Sequence, residues 1–141
     1  MQEVAMFISH HALLSFSFVV VVFLLLFVEL IRLRRKVNDL TPLEVTQLIN
    51  HKRGLVVDIR SKESFQQGHI IDALLLSSRE IRENFKKLDK YKERPIILVC
   101  DTGIESQKIA AILYKRGYDT YALSGGLRAW QQAEMPLIKE K

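Results

Sequence analysis

The chain has 141 residues, a formal net charge of +5 and a single cysteine, which leaves room for one domain and a short appendage. One cysteine excludes an internal disulfide and fits a reducing compartment, and no group of His and Cys has metal-ligand spacing, so we expect no metal and no other cofactor. The surplus positive charge is concentrated at residues 32–36, which argues against a nucleic-acid-binding protein.

An apolar segment opens the chain. Residues 4–28 contain no Asp, Glu, Lys or Arg, and about 20 helical residues are enough to cross the roughly 30 Å hydrocarbon core of a bilayer. We therefore expect a single transmembrane helix at about residues 10–31, within an N-terminal segment 1–31. A cleaved signal peptide is the alternative, but no positively charged region precedes the segment and no small-residue cleavage site follows it.

A basic juxtamembrane segment, residues 32–36, follows the apolar one and no Lys or Arg precedes it. Because positive flanks stay in the cytoplasm, we expect residues 37–141 on the cytoplasmic side of a bacterial-type inner (plasma) membrane, with one span. The basic run also suits anionic headgroups, so the lipid bilayer is an expected partner. A membrane-protein partner stays open, because lipid contact explains the apolar residues equally well.

The first elements of the remaining chain have clear boundaries. Residues 37–40 are typical of a short edge strand. Thr41, Pro42 and Glu44 have the spacing of a capping box with proline at the first helical position, which predicts a helix to about Asn50. The apolar run Leu55–Asp58 predicts a central strand.

The later elements continue an alternation of helices and strands. We expect a short helical turn at 61–65 ended by Gly68, a polar helical region from Ser77 or Ser78 to Leu88, strands at 73–76, 96–99 and 118–123, and helices up to Arg116 and over 127–133. Such alternation predicts an α/β fold: a mostly parallel five-stranded sheet with helices on both faces, preceded by the transmembrane helix.

Cys100 stands out at the end of the apolar run Ile96–Val99. A short polar loop follows it, and Gly103 precedes the next helical pattern. Strand ends of this kind carry the sites of α/β folds, and loop N–H groups with a helix N-terminus stabilise a thiolate. The alternative is an inert cysteine that packs as a small hydrophobic residue.

Several segments together carry a family resemblance. Cys100–Ser106 resembles the Cys-x-x-Gly-x-Arg-Ser/Thr active-site loop of rhodanese-like domains, and further matching segments occur in the same order at Val56–Arg60, Phe65–Ile70, Arg116–Tyr118, Leu123–Gly126 and Trp130. The likeness spans about residues 37–137. It implies a thiosulfate sulfurtransferase-like enzyme that carries sulfane sulfur as a persulfide on the catalytic Cys100. It also implies two partners, a sulfur donor and a sulfur acceptor, each a protein or a small thiol.

The resemblance assigns roles around the cysteine. Its active-site loop corresponds here to Asp101, Thr102, Gly103, Ile104, Glu105 and Ser106. Asp58 and Arg60 either support the pocket wall or form an ion pair that holds the strand end, and the sequence leaves both readings open.

Glu105 departs from the family pattern, because it replaces the loop arginine. Together with Asp101 it places two carboxylates near a loop that binds anions, so we expect weak activity with thiosulfate. The departure also allows an alternative function, a non-catalytic, membrane-tethered binding module on the rhodanese fold. A cysteine phosphatase is disfavoured, because its phosphate-clamping arginine would stand at Ser106.

Overall fold

The computed structural model describes residues 1–36 and 39–140, in two units, Met1–Val37 and Asn38–Lys141. The first unit contains helices α1 (Gln2–His10) and α2 (Ala12–Lys36), which are separated at His11. Among the described residues, one helical segment, Ala12–Ile31, is long and apolar enough to cross a membrane, with a mean hydropathy of 2.8. This segment corresponds to the apolar helix predicted at about residues 10–31.

The second unit is a five-stranded sheet with flanking helices. Its elements in chain order are β1 (Asp39–Leu40), α3 (Pro42–Lys52), β2 (Leu55–Asp58), α4 (Lys62–Gln67), β3 (Leu74–Leu75), α5 (Ser78–Glu83), a 3₁₀ helix (Phe85–Tyr91), β4 (Ile96–Val99), α6 (Ile104–Lys115), β5 (Thr120–Leu123) and α7 (Gly126–Gln132). The strand order is β1-β5-β4-β2-β3, and each of these pairs is parallel. The predicted α/β fold class is therefore confirmed.

The central strand β4 divides the apolar core into two layers. All four of its residues are buried, and successive side chains point to opposite faces of the sheet. Ile96 and Leu98 belong to the layer that includes residues of α5 and α6, whereas Ile97 and Val99 pack with residues of α3 and α7. Cys100 continues the first alternation and lies on the α5–α6 side.

The predicted helix starts agree with the structure. The Thr41 hydroxyl accepts the Glu44 N–H at 3.3 Å, and the Glu44 carboxylate accepts the Thr41 N–H at 2.8 Å, so the capping box is present. A second capping box joins Ser77 to Glu80 at the start of α5. These reciprocal bonds pair donors that would otherwise lack partners at a helix N-terminus.

Several predicted boundaries differ from the observed ones. The polar region up to Leu88 is two helices, because Asn84 has extended backbone angles that end α5 before the 3₁₀ helix. The last strand begins at Thr120 rather than residue 118, and the last helix begins at Gly126. Of the edge strand predicted at 37–40, Asp39–Leu40 is observed, and the rest lies outside the described residues.

The N-terminus of α7 lies directly against the end of β4. The Leu127 N–H donates to the carbonyl of Cys100 at 2.9 Å, and the Arg128 N–H donates to the carbonyl of Asp101 at 3.2 Å. Gly126 has a φ of +61°, and a Cβ at this position would overlap those same two carbonyl oxygens. This close approach therefore depends on glycine in both backbone angle and size.

We predict that Gly126→Ala destabilises the protein more than Gly117→Ala does. Gly117 also has a positive φ, of +88°, but its Cβ would meet only the end of the Lys92 side chain, at 3.9 Å. The control therefore measures left-handed strain alone, about 1 kcal/mol or a decrease in Tm of roughly 5 °C. Gly126→Ala should lower the Tm by more than about 10 °C in thermal unfolding of the detergent-solubilised chain. Equal shifts for the two variants would contradict the close packing of α7.

Candidate active site

Cys100 lies at the carboxyl end of the central strand, one residue beyond β4. Its side chain is 7% exposed, and it is a free thiol. Three loop residues separate it from Ile104, the first residue of α6. The sulfur is therefore held at the edge of the core, below the N-terminus of a 12-residue helix.

The cysteine sulfur has two polar neighbours from its own loop. The Gly103 N–H donates to Cys100 Sγ at 3.1 Å, and Ser106 Oγ lies 3.5 Å from Sγ. The Ser106 hydroxyl is fully buried and also donates to the carbonyl of Gly103 at 3.0 Å. The site thus directs an N–H and a hydroxyl oxygen at the sulfur, and an N–H donor favours negative charge there.

Gly103 is required by this loop on two grounds. Its φ is +88°, in the left-handed region, and it serves as the N-cap of α6. A Cβ would lie 3.0 Å from the carbonyl oxygen of Leu123 and 3.1 Å from the backbone nitrogen of Gly125. A larger residue would therefore displace the N–H that contacts the sulfur.

The carbonyl groups of the loop are turned toward α7. The carbonyls of Cys100 and Asp101 accept the N–H groups of Leu127 and Arg128, as described above. Carbonyl oxygens near a thiolate would repel it, since both carry negative charge. Docking of α7 thus occupies these oxygens away from the sulfur.

Asp58 and Arg60 form a buried ion pair. Arg60 Nη2 and Nε donate to the Asp58 carboxylate at 2.7 and 3.0 Å, and Nη2 also donates to the Gly68 carbonyl at 2.7 Å. The side chains are 9% and 1% exposed. Burial lowers the pKa of Arg60, but the hydrogen bonds and charges of Asp58 and Asp101 outweigh it, so that this pKa is raised overall. The pair ties the end of β2 to the segment after α4.

Arg60 also reaches the cysteine loop. Its Nη1 lies 3.5 Å from Asp101 Oδ1, and both residues line a cavity of about 250 Å³ that extends to α7. Asp58 is not among the lining residues. Of the two readings left open by the sequence, the ion pair describes Asp58, whereas Arg60 is both an ion-pair partner and part of a pocket wall.

The outer side of the loop carries the other predicted site residues. Asp101, Thr102 and Ile104 are exposed, and Glu105 is partly exposed. Glu105 Oε1 accepts a hydrogen bond from Arg82 Nη2 at 3.1 Å. The structure therefore brings the predicted loop residues together around the cysteine and adds Arg82 of α5.

Arg82 is the residue that sequence reasoning missed. It lies 23 positions before Glu105, in a helical region rich in charged residues where nothing distinguishes one arginine from another. Only the contact of α5 with α6 brings the two side chains together. The carboxylates of Asp101 and Glu105, which the sequence places beside the cysteine without counter-ions, are each paired with an arginine.

His69 and Trp130 lie outside this arrangement. His69 is 4% exposed, stacks on Phe65 at 3.8 Å and donates through Nδ1 to the Phe65 carbonyl. Trp130 is 4% exposed and donates through Nε1 to the Pro136 carbonyl at 3.0 Å. Both side chains stabilise the second unit. Within the described residues, no group of three or more His, Cys, Asp or Glu side chains is placed to hold a metal ion.

Comparison with known proteins places this geometry in a family. The chain is 33% identical, over 143 residues covering the full length of both chains, to the uncharacterized protein YibN of Escherichia coli (strain K12). It is 33% identical to the thiosulfate sulfurtransferase GlpE of Coxiella burnetii (strain RSA 331) over 95 residues, 67% of this chain and 87% of the relative.

A solved structure shares the fold. A rhodanese-related protein from Thermoplasma volcanium superimposes with a TM-score of 0.66 at 20% identity, covering 72% of this chain and 97% of that one. The family profile described as the rhodanese-like domain matches residues 41–133. These residues include the cysteine loop, the buried Asp58–Arg60 pair and the start of α7, and the chain belongs to the rhodanese-like domain family.

Proposed function

We propose that the chain is a membrane-anchored sulfurtransferase that carries sulfane sulfur as a persulfide on Cys100. The observation that carries this proposal is the 3.1 Å hydrogen bond from the Gly103 N–H to Sγ, at the N-terminus of α6. A sulfur atom in this position is stabilised as a thiolate nucleophile by the N–H group and the helix dipole. Similarity to a thiosulfate sulfurtransferase supports the same chemistry.

The reaction divides into two displacements at sulfur. The Cys100 thiolate attacks the outer sulfur of a donor, whose S–S bond breaks, and the donor leaves with the electron pair of that bond. Cys100 then holds the outer sulfur in a new S–S bond. An acceptor thiolate attacks this sulfur in turn and regenerates the Cys100 thiolate, so that no net oxidant or reductant is needed.

The structure explains how such a site holds the added negative charge. The Gly103 N–H and the Ser106 hydroxyl lie within 3.5 Å of Sγ, and the loop carbonyls are engaged by α7. A terminal persulfide sulfur attached to Cys100 would extend toward the exposed side of the loop, where Asp101 and Ile104 lie. An acceptor can reach it there.

We expect wild-type protein exposed to a small-molecule persulfide to gain the mass of one sulfur atom, and Cys100→Ser to gain none. Cys100 is the only cysteine, so any persulfide is assigned without ambiguity. Intact mass spectrometry of the full chain in detergent measures the gain, and circular dichroism confirms that both proteins are folded. If folded wild type never gains the sulfur, the alternative of a non-catalytic, membrane-tethered binding module replaces the proposal.

Activity with thiosulfate is expected to be weak. Around the loop, three carboxylates (Asp58, Asp101 and Glu105) face two guanidinium groups (Arg60 and Arg82). The pairing with arginine reduces the repulsion of an anion, but the group as a whole keeps a negative charge. A dianionic donor is therefore disfavoured.

Replacing Glu105 tests this electrostatic argument. Glu105→Gln removes one negative charge and frees Arg82, so kcat/KM for thiosulfate should increase about two- to fivefold, as expected for a half-exposed charge. Glu83→Gln is the matched control, because Glu83 pairs at 2.8 Å with Arg79 within α5. Steady-state assays with cyanide as acceptor measure both. An unchanged or reduced kcat/KM in Glu105→Gln would show that Glu105 does not limit thiosulfate use.

We further propose that the apolar helix anchors the protein in a bacterial-type inner membrane. In this organisation, residues 1–31 carry the span, residues 32–36 the basic segment and residues 37–141 the sulfurtransferase domain in the cytoplasm. The length and hydropathy of Ala12–Ile31 support the span, and the basic residues that follow it support the orientation. A full-length relative in Escherichia coli supports the bacterial setting.

Protease accessibility tests this topology. Protease added to intact spheroplasts should leave residues 37–141 undigested, because the domain is on the cytoplasmic side. Lysis of the spheroplasts should make the same residues accessible, and immunoblotting against the C-terminus detects both results. Digestion in intact spheroplasts would reverse the orientation, and recovery of a shortened, soluble protein would identify the apolar segment as a signal sequence.

A further inference from the structure

An ion pair lies beside the cysteine loop. Arg82 Nη2 donates to Glu105 Oε1 at 3.1 Å, and the two side chains are 50% and 42% exposed. Glu105 is in the first turn of α6 and precedes Ser106, whose Oγ lies 3.5 Å from the cysteine sulfur. The pair therefore lies next to the position where a sulfur donor must approach.

The two side chains retain unused hydrogen-bonding capacity. Within the part of the chain that the structure describes, this is the single hydrogen bond formed by either side chain. The guanidinium has further N–H groups, and Glu105 Oε2 is an acceptor in contact with solvent. A positive and a negative group thus stand side by side, and each can take a second partner of opposite charge without losing the first.

This arrangement is complementary to a zwitterion. An α-amino-acid head presents a carboxylate and an ammonium group on the same carbon, so that the carboxylate can meet Arg82 while the ammonium meets Glu105. The four charges would then alternate in sign, and a guanidinium binds a carboxylate through parallel N–H groups. A dianion would meet Glu105 unfavourably, and an uncharged head would use neither side chain.

We propose that Arg82 and Glu105 select sulfur donors with an α-amino-acid head, such as the persulfide of free cysteine. This inference rests on the proposed function of Cys100 and names the substrate class for it. The Cys100 thiolate attacks the outer sulfur of the donor, the donor S–S bond breaks, and its electron pair leaves on the thiolate of free cysteine. The outer sulfur, with its proton, stays on Cys100 as a persulfide.

Four related donors separate the contributions of the two charges. The persulfides of cysteine, N-acetylcysteine, cysteine methyl ester and N-acetylcysteine methyl ester carry both charges, the carboxylate alone, the ammonium alone and neither. The initial rate of persulfide formation on Cys100 is followed by intact mass spectrometry of the full chain in an uncharged detergent. Each variant is compared with wild type on every donor, so that differences in intrinsic donor reactivity cancel.

Single substitutions should affect different donors. Arg82→Gln should slow loading about three- to tenfold from the two donors that carry a carboxylate, and Glu105→Gln should do so for the two that carry an ammonium. Loading from the uncharged donor should be unchanged in both. Arg82→Lys should keep most of the preference for the carboxylate. Arg79→Gln is the matched control, because Arg79 belongs to the same helix but pairs with Glu83.

The possible results separate this inference from the proposed function. If Cys100 is loaded by all four donors and the substitutions change all rates equally or not at all, the ion pair has only a structural role and the inference is wrong. If no donor loads wild type, the proposed function fails and the inference fails with it. Donor-specific losses in the pattern described support both.

Discussion

The cysteine loop depends on the docking of α7. Two N–H groups at the start of this helix bind the carbonyls of Cys100 and Asp101, and Gly126 allows the approach because it has no Cβ. Since these carbonyls are held away from the sulfur, the loop can direct the Gly103 N–H toward it. A single backbone contact, formed by residues near the end of the domain, thus determines the polarity around a cysteine that follows the central strand.

Charge around this loop is balanced by residues from separate elements. Arg60, after β2, pairs with Asp58 and reaches Asp101, while Arg82 of α5 pairs with Glu105. The first pair is buried, so that removing either partner would leave an unpaired charge in the protein interior. The second is half exposed and contributes little to stability, which leaves it available for contacts with a substrate.

Local sequence patterns predicted the framework well where one residue type has one physical use. The Thr41–Glu44 capping box and the buried strands were visible because caps and apolar runs are short-range features. The division of the polar region at Asn84 was not visible, because both segments carry similar charged residues and the break depends on backbone angles. The cysteine loop was recognised from the spacing of Cys100, Gly103 and Ser106, which is also local.

The sequence by itself determined the class of fold, the position of Cys100 at a strand end and the separation of an apolar N-terminal segment from an α/β domain. These follow from hydrophobic periodicity and from residues with special backbone properties. Tertiary structure alone decided which charges meet at the loop. Arg82 contacts Glu105, 23 positions away, only because α5 and α6 pack on the same face of the sheet, and the geometry of that packing is not encoded in any short stretch of residues.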